Sequence, residues 1–178
     1  MNVYALSGRG NTGKSTTLAN LFVQIMEYYG TRANIVYINN NLTAATVKAQ
    51  IEQEHKLRRL GQYCSASNLE TVIEIDNYLI AINTSGDYEG AVIRSEDLFN
   101  GKESCGRACD LGFCAIRSKG ATIERIRVLS RNTSNNVTIM EKAYIANASR
   151  FAKYHDYLDS LNDWQTELLM DIVKSLVN

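Results

Sequence analysis

Apolar residues along this chain fall into short uninterrupted runs that alternate with longer stretches at three-and-four spacing, the pattern of strands alternating with helices. Val3-Tyr4-Ala5-Leu6 is a run of the kind a buried parallel strand needs. Leu18, Leu21, Phe22, Ile25, Met26 and Tyr29 then keep helical spacing until Gly30 stops it. Ile35, Val36 and Ile38 predict a second strand over Asn34 to Ile38, ended by the turn-like run Asn39-Asn40-Asn41. Ala44 to Leu60 predicts a solvated outer helix, because Val47, Ile51 and Leu57 are its only large apolar anchors among charged neighbours.

The pattern then switches period. Val72 to Asp76 alternates, Asp76-Asn77 favours a turn, and Tyr78 to Ile82 is continuously apolar, which together predict a β-hairpin. The partial polarity of the first arm predicts an edge position, whereas the second arm reads as a central strand covered on both faces. A polar loop, Asn83-Thr84-Ser85-Gly86-Asp87, follows. Tyr88 to Phe99 predicts a short helix, Asn100 to Cys105 a connection, and Leu111 to Ile116 another buried strand that ends in Arg117-Ser118-Lys119-Gly120. Ile123, Ile126 and Leu129 carry a helix over Ala121 to Leu129, Ser130 to Asn136 is a loop by composition, and Val137 to Ile145 predicts a last strand. From about 149 to 177, Tyr154, Tyr157, Leu158, Leu161, Trp164, Leu168, Ile172 and Leu176 predict a long amphipathic helix. Its stripe is expected to pack on the sheet, with a partner-binding face as the alternative.

This succession predicts an α/β fold: a three-layer α/β/α sandwich with a mainly parallel central sheet and a hairpin-derived antiparallel edge strand. A length of 178 residues suffices for one such domain and is short for two, so residues 1–178 read as a single domain. No apolar stretch reaches the length of a membrane span and no signal-peptide pattern opens the chain, so a soluble, cytoplasmic protein without a membrane partner is expected. Nineteen basic residues balance nineteen acidic ones, which removes the broad positive field that non-specific nucleic-acid binding needs. Cys64, Cys105, Cys109 and Cys114 form no C-x-x-C pair and only His55 and His155 accompany them, so reduced thiols are expected rather than a metal cage.

Chemistry concentrates after the first strand. Gly8-Arg9-Gly10-Asn11-Thr12-Gly13-Lys14-Ser15 matches G-x-x-x-x-G-K-[ST] at every fixed position and lies between a predicted strand and a predicted helix. In this the chain resembles the P-loop NTPases. Small residues let the backbone curl so that successive N–H groups form an anion nest, and the helix start adds the positive end of its dipole. The resemblance implies a nucleotide cradle from Gly8 to Thr16, with Lys14 against the β- and γ-phosphates and Ser15 offering its hydroxyl to Mg²⁺.

In a mainly parallel sheet, ligands sit at the carboxyl ends of the strands. The ends available are Asn39 to Asn41, Asn83 to Asp87 and Arg117 to Gly120. A P-loop enzyme also needs a carboxylate near the metal, and Asp87 is the first candidate, a helix N-cap being its plain alternative. Arg117 and Lys119 are candidates for steadying phosphate charge, against an ordinary exposed turn. Arg125, Arg127 and Arg131 could form a lid, or simply a solvated face.

Two narrower resemblances compete. Asp87-Tyr88-Glu89-Gly90 looks like the D-x-x-G switch of GTPases, but the chain has no N-K-x-D guanine reader. Arg9 to Ser15 is similar to the deviant K-G-G-x-G-K-[ST] loop of ATPases whose extra lysine reaches a neighbouring subunit's nucleotide, with Arg9 in that lysine's place and Asn11 for the second glycine. That likeness implies a face-to-face homodimer with Arg9 acting in trans; an exposed loop side chain is the alternative. The expected activity is Mg-dependent binding and hydrolysis of a nucleoside triphosphate, ATP. A small-molecule or nucleotide kinase and a non-catalytic nucleotide sensor remain open, as does a protein partner.

Overall fold

In the chain order of the computed structural model, β1 spans Asn2–Gly8, α1 Lys14–Tyr29, β2 Ala33–Ile38, α2 Ala44–Arg59, β3 Glu70–Ile75 and β4 Tyr78–Asn83. There follow α3 over Glu89–Phe99, β5 over Leu111–Arg117, α4 over Ala121–Ser130, β6 over Asn136–Glu141 and α5 over His155–Val177. The structure describes residues 1–10, 12–60, 62, 68–131, 134–142 and 155–177. Asn11, Cys64, residues 143–145 of the expected last strand and residues 149–154 of the expected last helix, Tyr154 among them, lie outside the described residues.

Local chemistry explains the boundaries. α1 ends because Gly30, at φ 52, turns its N–H back to the Met26 carbonyl. α2 starts at a capping box in which Thr43 and Thr46 exchange side-chain and backbone hydrogen bonds, at 3.2 and 2.8 Å. Asp76 and Asn77 both take positive φ, which lets the β3–β4 turn follow the twist of its strands.

The sheet runs in the order β2-β3-β4-β5-β1-β6. β3 is antiparallel to both its neighbours, and the β4–β5, β5–β1 and β1–β6 pairs are parallel. The hairpin is thus present, but its first arm is not the edge strand. β2 covers that arm along its length, with Tyr37 opposite Val72 and Ile38 opposite Thr71, and the Thr71 hydroxyl donates to the Tyr37 carbonyl at 2.8 Å. The polar positions of β3 therefore have partners: Glu70 accepts from Arg94 of α3 at 2.8 Å, Thr71 reaches β2 and Glu74 accepts from Arg107 at 2.8 Å.

Alternate residues of the inner strands enter two separate cores. Leu6, Ile73, Ile75, Ile80, Ile82, Leu111 and Phe113 pack beneath α1, α2 and α5 on one face. Val3, Ala5, Val72, Leu79, Ala81, Cys114 and Ile116 pack beneath α3 and α4 on the other. The molecule is a three-layer α/β/α arrangement, and complete burial of each large aliphatic or aromatic side chain contributes about 1.5–3 kcal/mol.

The C-terminal helix buries only part of its expected apolar stripe: Leu158 is buried and Ile172 and Leu176 pack against the core, but the middle of the stripe faces outward. Leu158, Leu169, Met170 and Val173 are buried together with His155, Asn162, Gln165 and Thr166, whereas Tyr157, Trp164 and Leu168 are exposed. α5 lies against α1 and α2, and its polar inner residues meet the first turns of α1. Among the described residues no helix is long and apolar enough to cross a membrane.

Candidate functional site

β1 carries the chain to Gly8 at the carboxyl end of the sheet, and α1 begins six residues later with Gly13 as its N-cap at φ 78, ψ 16. The strand-loop-helix setting of the glycine-rich motif is therefore present. The Lys14 side chain is only 6% exposed and folds back along the loop, donating to the carbonyls of Gly8 at 3.1 Å and Arg9 at 2.9 Å. Thr12 closes the curl with a hydroxyl bond to the Arg9 carbonyl at 3.0 Å. Burial pushes the Lys14 pKa down; nearby Asp87 opposes that shift and Arg117 adds to it.

The other strand ends arrive beside the loop. Ser15 donates its hydroxyl to the Thr84 carbonyl at 2.9 Å, tying the first turn of α1 to the residue after β4. Asn83 occupies the end of β4 and is fully buried: its amide nitrogen donates to the Ala91 carbonyl at 3.1 Å and to the Ser95 hydroxyl at 3.0 Å, and its oxygen accepts from the Ser85 N–H at 2.9 Å. An aspartate there has no proton to donate at neutral pH, so the clasp onto α3 accounts for the amide. Gly86 runs against β5 so closely that a Cβ would lie 2.0 Å from the Ala115 carbonyl oxygen. The loop carrying Asp87 is thus held against the strand that ends in Arg117.

Asp87 accepts from Arg117 at 3.1 Å, and both side chains are substantially exposed. It is not the cap of α3, whose N-cap is Tyr88. Gly8, Arg9, Gly10, Arg117, Ser118 and Lys119 line an open cleft of about 410 Å³. Three residues with cationic side chains, Arg9, Arg117 and Lys119, thus border one opening, a setting that favours an anion.

No protein-family model, curated protein or solved structure matches this chain. Loop amides, the α1 terminus, Lys14, Arg9, Arg117 and Lys119 suit a polyphosphate. Among the described residues no group of three or more His, Cys, Asp or Glu gathers in a way that could hold a metal.

The remaining predicted residues are placed as follows. Thr16 is fully buried, and its hydroxyl donates to both carboxylate oxygens of Glu54 at 3.3 and 3.2 Å. Arg125 pairs with Glu96 of α3 at 2.6 Å and Arg127 with Glu124 of its own helix at 2.7 Å, so these two candidate lid arginines are engaged away from the cleft. Cys105, Cys109 and Cys114 are free thiols.

The sequence reading missed a buried polar layer behind the loop. Glu54 of α2 is 1% exposed and holds Thr16 and an ion pair with Arg58. Burial raises the Glu54 pKa, and the adjacent guanidinium works against that rise. Glu54→Ala leaves Arg58, whose side chain is only 17% exposed, without its carboxylate, so a loss of about 3 kcal/mol is expected in denaturant unfolding. A loss below about 0.5 kcal/mol would show the pair to be incidental. Lys142, after β6, and Asn162, Gln165 and Thr166 of α5 complete the layer. The available sequence signal was three polar residues at positions 162, 165 and 166, on the same helical face as Leu158, Leu169 and Val173.

Proposed function

We propose that this chain is a P-loop NTPase that binds Mg-ATP in the cationic cleft and hydrolyses its β–γ bond. One observation carries the reading: Gly8 to Ser15 bridges a buried strand end and a helix N-terminus, with Lys14 bent along the loop carbonyls where a phosphate chain would lie. In this reading the loop amides and Lys14 bind and orient the β- and γ-phosphates, and Arg117 or Lys119 meets charge that develops during transfer. A divalent cation bound with the nucleotide supplies Lewis-acid charge to the phosphates.

The direct test is nucleotide titration and phosphate release with Mg-ATP, compared with Lys14→Ala. Wild-type protein is expected to bind and turn over ATP, and the variant to lose about 100-fold or more in turnover. Equal rates for the two proteins would remove hydrolysis from the reading. A second reading, nucleotide sensing without turnover, is favoured by the engagement of Asp87 with Arg117 and of the Ser15 hydroxyl with the Thr84 carbonyl. It predicts Lys14-dependent binding with no phosphate release.

A further inference from the structure

We propose that Lys142 and Asn162 form a buried seat that fixes the phosphate loop from behind, which makes them positioning residues for the nucleotide reaction. The inference rests on the nucleotide reading for its function, but the seat itself is a matter of geometry. Lys142 joins three elements where the loop begins and ends. Its backbone N–H donates to the Ser7 carbonyl at 2.8 Å, and its ammonium donates to the Thr17 hydroxyl at 2.5 Å and to the Gln165 amide oxygen at 2.9 Å. The last residues of β1, the first turn of α1 and the inner face of α5 are therefore tied through one residue, β1 by its backbone and the two helices by its side chain.

Asn162 carries the connection to the loop. The Thr17 hydroxyl donates to Asn162 Oδ1 at 3.5 Å, and a Cβ placed on Gly13 would lie 2.4 Å from that oxygen and 2.7 Å from Nδ2. Gly13 thus lies flat on the Asn162 amide. Thr166 adds a bond from its hydroxyl to the Thr17 carbonyl at 3.3 Å, while the Thr17 N–H is spent on the Gly13 carbonyl at 2.9 Å. Asn162 is fully buried, with no hydrogen-bond partner for Nδ2 among the described residues, and Lys142 is 7% exposed. Neither opens onto the cleft, so both act through Thr17 and Gly13.

Energetics point the same way. An ammonium in this position gives up its hydration for two neutral oxygens, an arrangement that an apolar side chain of the same length avoids. Its contribution is directional. A loop rich in glycine has a soft backbone, and one catalytic geometry survives only if neighbouring groups over-determine it.

The test uses Lys142→Met, which keeps the stem and removes the donors, and Asn162→Ala, read by hydrogen exchange on the free protein and by Mg-ATP titration. Amides of residues 13–18 are expected to exchange about tenfold faster in either variant while those of β4 and β5 are unchanged. Mg-ATP affinity is expected to fall about tenfold. Unchanged exchange at residues 13–18, or acceleration spread evenly over the sheet, would overturn the seat. If wild-type protein binds no triphosphate, the nucleotide reading fails, and the exchange pattern still decides whether the seat exists.

Discussion

Gly13→Ala is expected to lower the unfolding free energy by about 3 kcal/mol and to remove detectable triphosphate binding. Two separate costs combine at this position. An L side chain at φ 78 sits in the left-handed region, which costs about 1–2 kcal/mol. The new Cβ also lands 2.4 Å from a buried Asn162 oxygen, and overpacking of that kind costs about 1–3 kcal/mol. The costs can be separated. Adding Asn162→Ala to Gly13→Ala relieves the steric part and leaves the backbone part, so about half of the lost stability is expected to return. Gly10→Ala is the control, since nothing lies within 4 Å of its Cβ; it is expected to unfold within about 0.5 kcal/mol of wild type. Denaturant midpoints decide the matter, and wild-type stability in Gly13→Ala would refute the contact with α5.

The contrast between these two glycines shows which parts of the site are legible in a sequence. The motif places Gly8, Gly13, Lys14 and Ser15 correctly between a strand and a helix, because the motif and its setting are both local. Strands β1, β4 and β5 could be read for the same reason, being continuous apolar runs with both faces covered. The edge assignment failed because pairing is not local: the polar residues of β3 look solvent-facing until Tyr37 and Arg94 arrive from elsewhere in the chain. Asp87 could be found as the acid of its loop, but its attachment to Arg117 depends on the close approach of Gly86 to β5.

The C-terminal helix is the sharpest case. Tyr157, Trp164 and Leu168 of the expected stripe face outward, while Asn162, Gln165 and Thr166 go inside with Leu158, Leu169, Met170 and Val173. Hydrophobicity alone keeps those three polar residues outside. The first turns of α1 reverse the choice because they present buried polar atoms, the Thr17 hydroxyl and carbonyl, that need partners. Glu54 follows the same logic on α2, where a run of charged residues looks solvated and one of them is taken inside by Thr16. Polar residues on an inner helix face therefore mark, in this chain, the underside of the proposed binding loop.

Stability is expected to rise with pH from about 7 to about 9 and to fall above that, with Lys142 supplying most of the ascending limb and Lys14, also lowered by burial, adding to it. Burial lowers its pKa to about 7 from the ordinary 10.5; Lys14 and Arg58 push the same way, and Asp163 opposes them. Below about pH 7 the side chain is protonated in both folded and unfolded chains, so it adds no slope. Between 7 and 10.5 the folded form has lost the proton and the unfolded form keeps it. The unfolded chain then binds more protons, and stability climbs with pH by up to about 1.4 kcal/mol per unit. The buried thiols of Cys109 and Cys114 act in the opposite sense, because burial raises both to about 12 from 9.0. Above pH 9 the unfolded thiols lose protons that the folded ones retain, and each then lowers stability with a slope of similar size. Urea unfolding across pH 6 to 10 is expected to show a maximum near pH 9 and a gain of about 2 kcal/mol on the way up. Lys142→Met is expected to remove most of the ascent and to steepen the descent, whereas Cys114→Ala, which leaves one thiol against the lysine, should turn the descent into a plateau up to about pH 10. An ascent of undiminished size in Lys142→Met would mean that the titrating group lies elsewhere. Because the ammonium that titrates also holds Thr17 and Gln165, the same pH range is where exchange at residues 13–18 should change in wild type and stay constant in Lys142→Met.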